Sequence, residues 1–534
     1  MSAELVLLRT PWGLIGGHRD QVKLSPGHPT ELELITVPLL FSFDNKPVEI
    51  DGSIHRSEPH ASFLTRKRER QYVYAIPLPL KPEPQLIRHA AWREPARLQW
   101  TNVQARPTKT RDTAADGTPE AGQPYLDFLY TIIGRMQDID ELLRDCEDLW
   151  RDLYSRWTSE AEPRDPEMDL LVRHARQHAR RWPDIVERPR RLLNRTREML
   201  PLDRVQELDT RCMEWLSQQP GETLAERAGD RQRILALARH DNPNTLENRI
   251  LRDLLERTNA AAREYLARQG EKRPTERSQL VRRYGKECRR LGLDLRNQGV
   301  MSPPPHPQPN YVLQQDTRYK HVWRAWQEIL RRKRETDELW RWQHRAWAEM
   351  CKAAVIVGLY NGGARDLIAA SPLKYRLEAR HGQWLLHDDP IAIVDDQDND
   401  LAIEILDGIA PDGRHRDIAN QCPEFAASFW LRIGQLSGEY LQYVPVWAVH
   451  SFPSDATLET LVESANRTLD RSAQFRLPVR KGIVLQSLVD PGESASTQSA
   501  ERVVGVRFGP TVPQLAEGLG YIAEELPELL ANQP

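Results

Sequence analysis

The middle of the chain carries the polar run Asn242-Pro243-Asn244-Thr245-Leu246-Glu247-Asn248-Arg249, which opens a long amphipathic helix. Asn244 has the side chain of a helix N-cap, and Glu247 three residues later can reach back in the manner of a capping box. Three polar side chains remain without a role in capping: Thr245, Asn248 and Arg249. These side chains therefore face water, link neighbouring helices or line a site.

The predicted helix, over 244–269, has one apolar face whose members recur at three- and four-residue steps. They are Ile250, Leu251, Leu254, Leu255, Ala261, Ala262, Tyr265 and Leu266. The same spacing predicts further helices near 166–183, 189–200, 202–218, 222–240 and 275–298. The region 125–300 is therefore predicted to be an all-α domain.

The flanking regions differ in pattern from this middle. Short apolar runs between Pro, Gly and Asp predict a β-rich domain over 1–110, followed by a linker over 111–124. A Pro-rich, extended spacer is predicted over 301–312 and a basic, Trp-rich helical segment over 313–365. Strands and helices alternate over 366–534, with helices near 421–436, 456–470 and 512–531. The fold class predicted is multidomain α+β, with an α/β C-terminal domain.

The composition indicates a cytoplasmic protein without a membrane span. No run of about 18 apolar residues occurs, and the first residues lack the pattern of a signal peptide. The five cysteines are scattered and include no Cys-x-x-Cys pair. Neither a disulfide framework nor a zinc ribbon is therefore indicated.

Charge is unevenly distributed along the chain, although its net value is only −3. Residues 241–345 hold 23 Lys and Arg against 14 Asp and Glu, whereas residues 381–534 hold 10 against 23. A basic middle joined to an acidic end is typical of a protein that meets a polyanion with one region and a protein partner or a metal with another. Solvated helix faces would give the same counts.

Several catalytic patterns are absent. There is no P-loop, and the glycine-rich run that starts at Gly358 has no lysine to reach a phosphate. The chain is therefore not itself the motor of an ATPase. No dinucleotide fingerprint, His-Glu-x-x-His pair or Gly-x-Ser-x-Gly elbow occurs either.

The strongest catalytic candidate is an acidic cluster over 388–400 that precedes the predicted strand 401–406. Carboxylates at strand ends can hold Mg²⁺, and a nuclease also needs a lysine near the phosphate. The triplet Glu404-Ile405-Leu406 has leucine where a restriction-type acid-x-Lys pattern has lysine. An acidic hairpin loop is the other interpretation.

Two basic stretches are candidates for DNA contact, because Lys and Arg neutralise phosphates. The first comprises Arg331, Arg332, Lys333 and Arg334. The second, on predicted helices, includes Arg173, Arg176, Arg180 and Arg181. The nearby tryptophans, such as Trp323 and Trp326, have the spacing of core residues.

The run Asn244-Thr245-Leu246-Glu247-Asn248-Arg249, followed by Asp316-Thr317-Arg318-Tyr319-Lys320 before another helix, resembles a signature of the McrC-like family of bacterial restriction and defence proteins. In that family the signature lies after a β-rich N-terminal domain and before a restriction-nuclease-like domain. The resemblance implies an AAA+ or helicase-type ATPase partner and a C-terminal domain with a degenerate restriction-endonuclease-like fold. Asp389, Asp396 and Glu404 match the acidic positions, whereas Lys374 and Lys481 lie on other predicted strands.

Three functions remain open at this point. The first is a DNA-binding, non-catalytic subunit of an antiphage defence complex, with no cofactor. The second is an active Mg²⁺-dependent endonuclease using Asp389, Asp396 and Glu404. The third is a protein scaffold that touches no nucleic acid. The first predicts that Thr245, Asn248 and Arg249 hold the helical region together rather than perform chemistry.

Overall fold

The computed structural model describes most of the chain, and it divides the chain into two compact units. The first unit comprises Met1–Arg164 and Arg334–Pro534, and the second comprises Asp165–Lys333. The predicted boundaries at 124/125 and 300/301 do not coincide with this division. The described residues are 5–8, 21–33, 39–42, 48–55, 62–65, 71–107, 122–145, 148–159, 170–268, 276–361, 365–371, 373–380, 382–386, 390–407, 427–435, 440–450, 457–474 and 479–531.

The first unit begins with short strands in two sheets, in agreement with the β-rich pattern predicted there. The strands are β1 (Leu5–Leu8), β2 (Gln21–Leu24), β3 (Pro29–Leu32), β4 (Leu39–Ser42), β5 (Val48–Ile50), β6 (Ser53–His55), β7 (Ser62–Thr65), β8 (Gln71–Pro77), β9 (Gln85–His89) and β10 (Ala96–Trp100). Their orders are β2-β1-β4-β8-β7 and β3-β10-β9-β5-β6. Alternate residues of β9 and β10 are buried, as expected for strands with one solvated face. Helices α1 (Gln123–Asp145) and α2 (Leu149–Thr158) follow.

The second unit consists of helices and one two-stranded ladder. Its elements are α3 (Leu170–His178), α4 (Arg181–Glu187), β11 (Leu192–Pro201), α5 (Thr210–Ser217), α6 (Leu224–Arg227), β12 (Arg233–Asn242), α7 (Leu246–Arg268), α8 (Glu276–Asn297), α9 (Tyr311–Gln315) and α10 (Thr317–Arg341). The division between the units falls within α10. A Cβ at Gly285 of α8 would lie 2.8 Å from the Cβ of Ala262 on α7, so glycine allows these helices to approach closely.

The ladder corrects the prediction of an all-α middle. Residues near 189–200 and 222–240 were predicted to be helical, but β11 and β12 pair antiparallel from Leu192 opposite Asn242 to Pro201 opposite Arg233. The buried members of β12 are Ile234, Ala236 and Ala238, which is a period of two. Leu and Ala favour helices in isolation, and strand pairing overrides that preference here.

The C-terminal part of the first unit is a mixed sheet covered on both faces. Its elements are α11 (Gln343–Asn361), β13 (Arg365–Ala370), β14 (Lys374–Arg380), β15 (Gln383–Leu386), β16 (Ala392–Asp396), β17 (Leu401–Asp407), β18 (Phe429–Gln435), β19 (Tyr440–Val449), α12 (Leu458–Gln474), β20 (Gly482–Ser487), β21 (Ser496–Ser499), β22 (Val503–Phe508) and α13 (Val512–Ala531). The main sheet has the order β13-β16-β17-β18-β19-β20-β22-β21. One face packs on α1, α2, α11 and α13, and the other on α12. The helix predicted near 421–436 is wrong for 429–435, which form β18; residues 421–426 lie outside the described ranges.

Candidate functional site

The polar run at the start of α7 is a buried hydrogen-bond centre. Helix α7 begins at Leu246, and the Thr245 hydroxyl accepts a hydrogen bond from the backbone amide of Asn248 at 3.4 Å. The cap is therefore Thr245, and the prediction of Asn244 as the N-cap is wrong. The Asn244 side-chain oxygen instead accepts from Arg249 Nε at 2.8 Å and from the Met301 amide at 2.9 Å. Asn244 thus ties the start of α7 to the segment after α8.

Asn248 uses its whole amide group within the second unit. It is completely buried, and its Nδ2 donates to the carbonyl oxygens of Arg190 at 2.8 Å and Pro243 at 2.7 Å. Its Oδ1 accepts from the Tyr319 hydroxyl at 2.7 Å, and that hydroxyl accepts from the Arg190 amide at 2.9 Å. One side chain therefore joins the segment after α4, the start of α7 and the first turn of α10.

Glu247 extends this centre to α9. Its buried carboxylate accepts from the Arg190 guanidinium and from Asn310 Nδ2, the latter at 2.9 Å. Burial by itself raises the pKa of Glu247, but hydrogen bonds from its own amide, Thr245 and Asn310, with the charge of Arg190, outweigh burial and lower the pKa. The predicted spacer 301–312 is consequently held near both ends, at Met301 by Asn244 and at Asn310 by Glu247, and lies within the second unit.

The lowered pKa of Glu247 predicts acid sensitivity. Its stabilisation is complete above the unfolded pKa of about 4.3 and is lost as pH falls through the lower folded pKa. We expect Glu247→Gln to lower the free energy of unfolding of the second unit by about 1–3 kcal/mol at neutral pH. The difference from wild type should be constant down to about pH 5 and shrink below it.

Urea unfolding of both proteins between pH 7 and pH 3.5 measures this difference. Glu214→Gln, on the exposed side of α5, is the matched control and should show a small difference that does not vary with pH. A Glu247→Gln difference that is equally large at pH 7 and pH 3.5 would contradict the prediction.

Exposed basic side chains of the second unit lie on α3, α4 and α10 and at Arg180, between α3 and α4. Arg176, Arg180, Arg181, Lys320 and Arg324 are exposed, and no ion pair within the described ranges involves them. We call these five residues the basic surface. Arg173, predicted with them, instead contacts Glu328 at 3.3 Å, and the same carboxylate bonds His174 Nε2 at 2.8 Å.

Two histidines show that three of these charges, those of Arg181, Lys320 and Arg324, are neighbours. Burial lowers the pKa of His321, and the nearby charges of Arg181, Arg324 and Lys320 lower it further. Burial lowers the pKa of His178 to about 4, with contributions from His174, Arg181 and His321. Both imidazoles are thus neutral at physiological pH beside a concentration of positive charge. Sequence analysis missed Lys320 and Arg324, although their four-residue spacing on a helix was available.

The predicted basic stretch Arg331 to Arg334 contributes less. Arg331 is exposed, and helical geometry places it eleven residues after Lys320 on the same side of α10. Arg332 lies 3.7 Å from the Glu264 carboxylate. The side chains of Lys333 and Arg334 lie outside the described part of the structure. The tryptophans nearby are largely buried, and Trp326 donates to Asp253 at 2.7 Å.

The predicted catalytic carboxylates are not brought together. Asp389 lies outside the described residues. Asp396 shares a sheet face with Val394, whereas Glu404 shares the opposite face with Leu406, because residues alternate along paired strands. Glu404 also receives two hydrogen bonds from Arg432, its cross-strand neighbour. Asp396 and Glu404 therefore do not fit one shared Mg²⁺ ion.

Two lysines of this domain are engaged within the fold, and the side chain of Lys374 lies outside the described part of the structure. Lys481 is buried and donates to the carbonyls of Leu529 and Leu530, at the end of α13. Lys352 of α11, which sequence analysis missed, lies 2.8 Å from Glu349 and 3.0 Å from Asp407. Burial alone lowers the pKa of Lys352, but the charges of Asp407 and Glu349 outweigh it and raise that pKa. Lys352 therefore stays charged.

The described residues lack two kinds of feature. They include no group of three or more His, Cys, Asp or Glu that could hold a metal ion. Among the described helices, none combines the length and apolar character needed to cross a bilayer.

Comparison with known proteins finds one family model whose match includes both the Asn244–Arg249 run and the basic surface. A family model described as a domain of unknown function (DUF2357) matches residues 167–326, which lie within the second unit. No curated protein matches the chain. A chain of the structure described as a refined half-complex from a tetradecameric assembly of Thermococcus gammatolerans McrB AAA+ hexamers with bound McrC is similar at 10% identity. That match covers 87% of this chain and 86% of that chain, with a TM-score of 0.20.

Proposed function

We propose that this chain is a DNA-binding, non-catalytic subunit of a bacterial antiphage defence complex. The observation that carries the DNA-binding part is the basic surface of the second unit. The defence setting, and an AAA+ or helicase-type ATPase as the partner, rest on the resemblance of Asn244–Arg249 and Asp316–Lys320 to the McrC-like signature.

The basic surface suits a phosphate backbone for two reasons. Its cations are exposed and form no ion pair with any described residue, unlike Arg173 or Arg290, which contact acids of their own unit. They also lie on packed helices, since α3, α4 and α10 share one apolar core. Contacts to phosphates position a protein on DNA without reading its sequence, so binding with little sequence preference is the expected behaviour.

The salt dependence of duplex binding tests this surface. Each phosphate contact adds about −0.9 to the slope of log affinity against log salt concentration, so five contacts predict a slope of about −4.5. We expect Arg181→Gln to reduce the magnitude of the slope by about 1, and Arg181→Gln with Arg324→Gln by about 2. Fluorescence anisotropy of a labelled duplex from 50 to 300 mM salt gives these values.

Arg290→Gln provides the matched control for this experiment. It removes one positive charge from an exposed helix of the same unit, but that charge already contacts Glu287 at 2.6 Å and Asp294 at 3.1 Å. Its slope should stay within error of the wild type. Binding that is absent at low salt would favour the scaffold, and equal losses in Arg181→Gln and Arg290→Gln would remove the basic surface as the site.

The non-catalytic part is supported by the arrangement of the C-terminal sheet. Asp396 and Glu404 lie on opposite faces, Glu404 is paired with Arg432, and Lys481 is bonded to the end of α13. Purified chain incubated with plasmid and Mg²⁺, with and without the co-purified ATPase, should leave the plasmid supercoiled. Cleavage by the wild type that Glu404→Ala abolishes would establish the endonuclease instead.

A further inference from the structure

Strand β11 has an open edge. It pairs with β12 on one side, and nothing in the described ranges pairs with the other. The far edge of β12 is in contact with the segment before α5 at one point, where the Leu237 amide donates to the Glu207 carbonyl at 3.0 Å. Three large apolar side chains of β11 are exposed: Leu192 (48%), Leu193 (54%) and Met199 (42%).

The hydrogen-bond pattern shows which backbone groups lie on this edge. Antiparallel pairs alternate between hydrogen-bonded and non-hydrogen-bonded. Leu237, which lies opposite Arg197, directs its amide away from β11, so their pair is of the non-hydrogen-bonded kind. The outward backbone groups of β11 are therefore those of Leu193, Arg195, Arg197 and Met199, at alternate positions.

The residues of β11 are arranged symmetrically about Thr196. Leu192 and Leu193 precede it at the same distances at which Leu200 and Met199 follow it. Suppose that the strand pairs antiparallel with its own copy about a twofold axis at residue 196. Each residue before Thr196 then lies opposite the residue of the copy that follows Thr196 by the same number of positions. Leu192 then lies opposite Leu200 of the copy, and Leu193 lies opposite Met199.

Other centres give poorer matches. An axis at Arg195 would place Leu193 opposite Arg197 and Leu192 opposite Glu198. An axis at Arg197 would place two arginines on the axis and Arg195 opposite Met199. The apolar pattern therefore favours Thr196, in the way that a buried face specifies strand register.

We propose that β11 is a docking edge for a second copy of this chain, paired antiparallel about an axis at Thr196. Leu193 and Arg195 then exchange backbone hydrogen bonds with Met199 and Arg197 of the other copy. The two ladders join into a four-stranded sheet, and a sheet of that size is stable where a lone pair of strands is marginal.

The like charges of Arg195 and Arg197 do not oppose this pairing. Arg195 lies 3.1 Å from Glu207, and Arg197 Nε donates to Asp209 at 2.7 Å. Each arginine therefore meets the other copy with its charge balanced within its own chain. Exposed arginines usually protect an edge strand from pairing, and these acids reduce that protection.

Cross-linking tests the register in the full chain. Thr196→Cys places two thiols across a non-hydrogen-bonded pair about 4.5 Å apart at Cα, which suits a disulfide. Glu198→Cys lies on the same side of the strand, but its two copies would be about 13 Å apart. Mild oxidation should link Thr196→Cys into a covalent dimer and leave Glu198→Cys and the wild type at the background level. Equal cross-linking of the two variants would overturn the register.

Sedimentation equilibrium tests the edge without cysteines. Leu193→Lys changes two apolar pairs of the dimer and should raise its Kd by at least about tenfold. Met213→Lys, at an equally exposed apolar residue (53%) of α5, should leave the Kd unchanged. The proposal would be overturned by a wild-type chain that stays monomeric up to about 100 μM. It would also be overturned by a dimer whose Kd does not change in Leu193→Lys.

Discussion

Asn248→Ala is expected to destabilise the second unit by about 3–5 kcal/mol. The substitution removes the hydrogen bonds that Asn248 makes with the carbonyls of Arg190 and Pro243 and with the Tyr319 hydroxyl, although Pro243 and Tyr319 each keep one other hydrogen bond. A buried polar group that loses its hydrogen bond costs about 1–3 kcal/mol, and three groups lose one here. Hydrogen exchange of the α7 amides, with urea unfolding, measures the loss.

Three further variants separate the polar centre from a general loss of packing. Asn297→Ala, at the exposed end of α8, is the matched control and should change stability by less than about 0.5 kcal/mol. Asn248→Asp keeps the size but directs a carboxylate oxygen at two carbonyls, so it should be at least as damaging as alanine. Tyr319→Phe should be non-additive with Asn248→Ala, because both remove the same hydrogen bond. Full additivity would contradict the network.

Lys352→Met is the second large effect, with an expected loss of about 3–5 kcal/mol in the first unit. The variant leaves Glu349 buried without its positive partner, and Asp407 loses the same contact. Breaking one side of a buried ion pair is costly because the remaining charge cannot be solvated. Thermal unfolding of the full chain, with hydrogen exchange of α11, measures the effect.

Neutralising the whole group should restore much of this stability. Adding Glu349→Gln and Asp407→Asn to Lys352→Met removes the uncompensated charges, and a glutamine oxygen can still accept from the Leu385 amide as Glu349 does at 3.1 Å. Arg88→Met, at an exposed position of β9, is the control and should change little. A triple variant that is less stable than Lys352→Met would show that charge imbalance is not the cause.

The sequence predicted the C-terminal strands well for a physical reason. The predicted strand 401–406 corresponds to β17, and apolar residues predominate in it because helices cover both faces of its sheet. The ladder of β11 and β12 was missed because Ile234, Ala236 and Ala238 lie in a Leu/Ala-rich run with high helix propensity. Only its pairing with a strand about 40 residues earlier made it extended.

The candidate sites were harder to predict than the fold. Arginines can be counted from sequence, but Arg173 is neutralised by Glu328 from a distant helix, while Arg181 remains exposed. The carboxylates Asp396 and Glu404 are close in sequence, yet a shift of one residue decides which face a strand side chain occupies. Both the neutralisation of an arginine and the sheet face of a carboxylate depend on tertiary contacts, which cannot be deduced from the local spacing of residues.

The connections of Asn248 also bear on the synthesis of the chain. Its partners Arg190 and Tyr319 are about 130 residues apart in the sequence. The centre can therefore close only after the chain has been synthesised as far as Tyr319. In a nascent chain that ends before Tyr319, the Asn248 side-chain oxygen lacks its Tyr319 partner and must be hydrated instead. Once α10 has left the ribosome, Tyr319 can replace the water at the N-terminus of α7. Fragments that end before Tyr319 should therefore be degraded by cellular proteases.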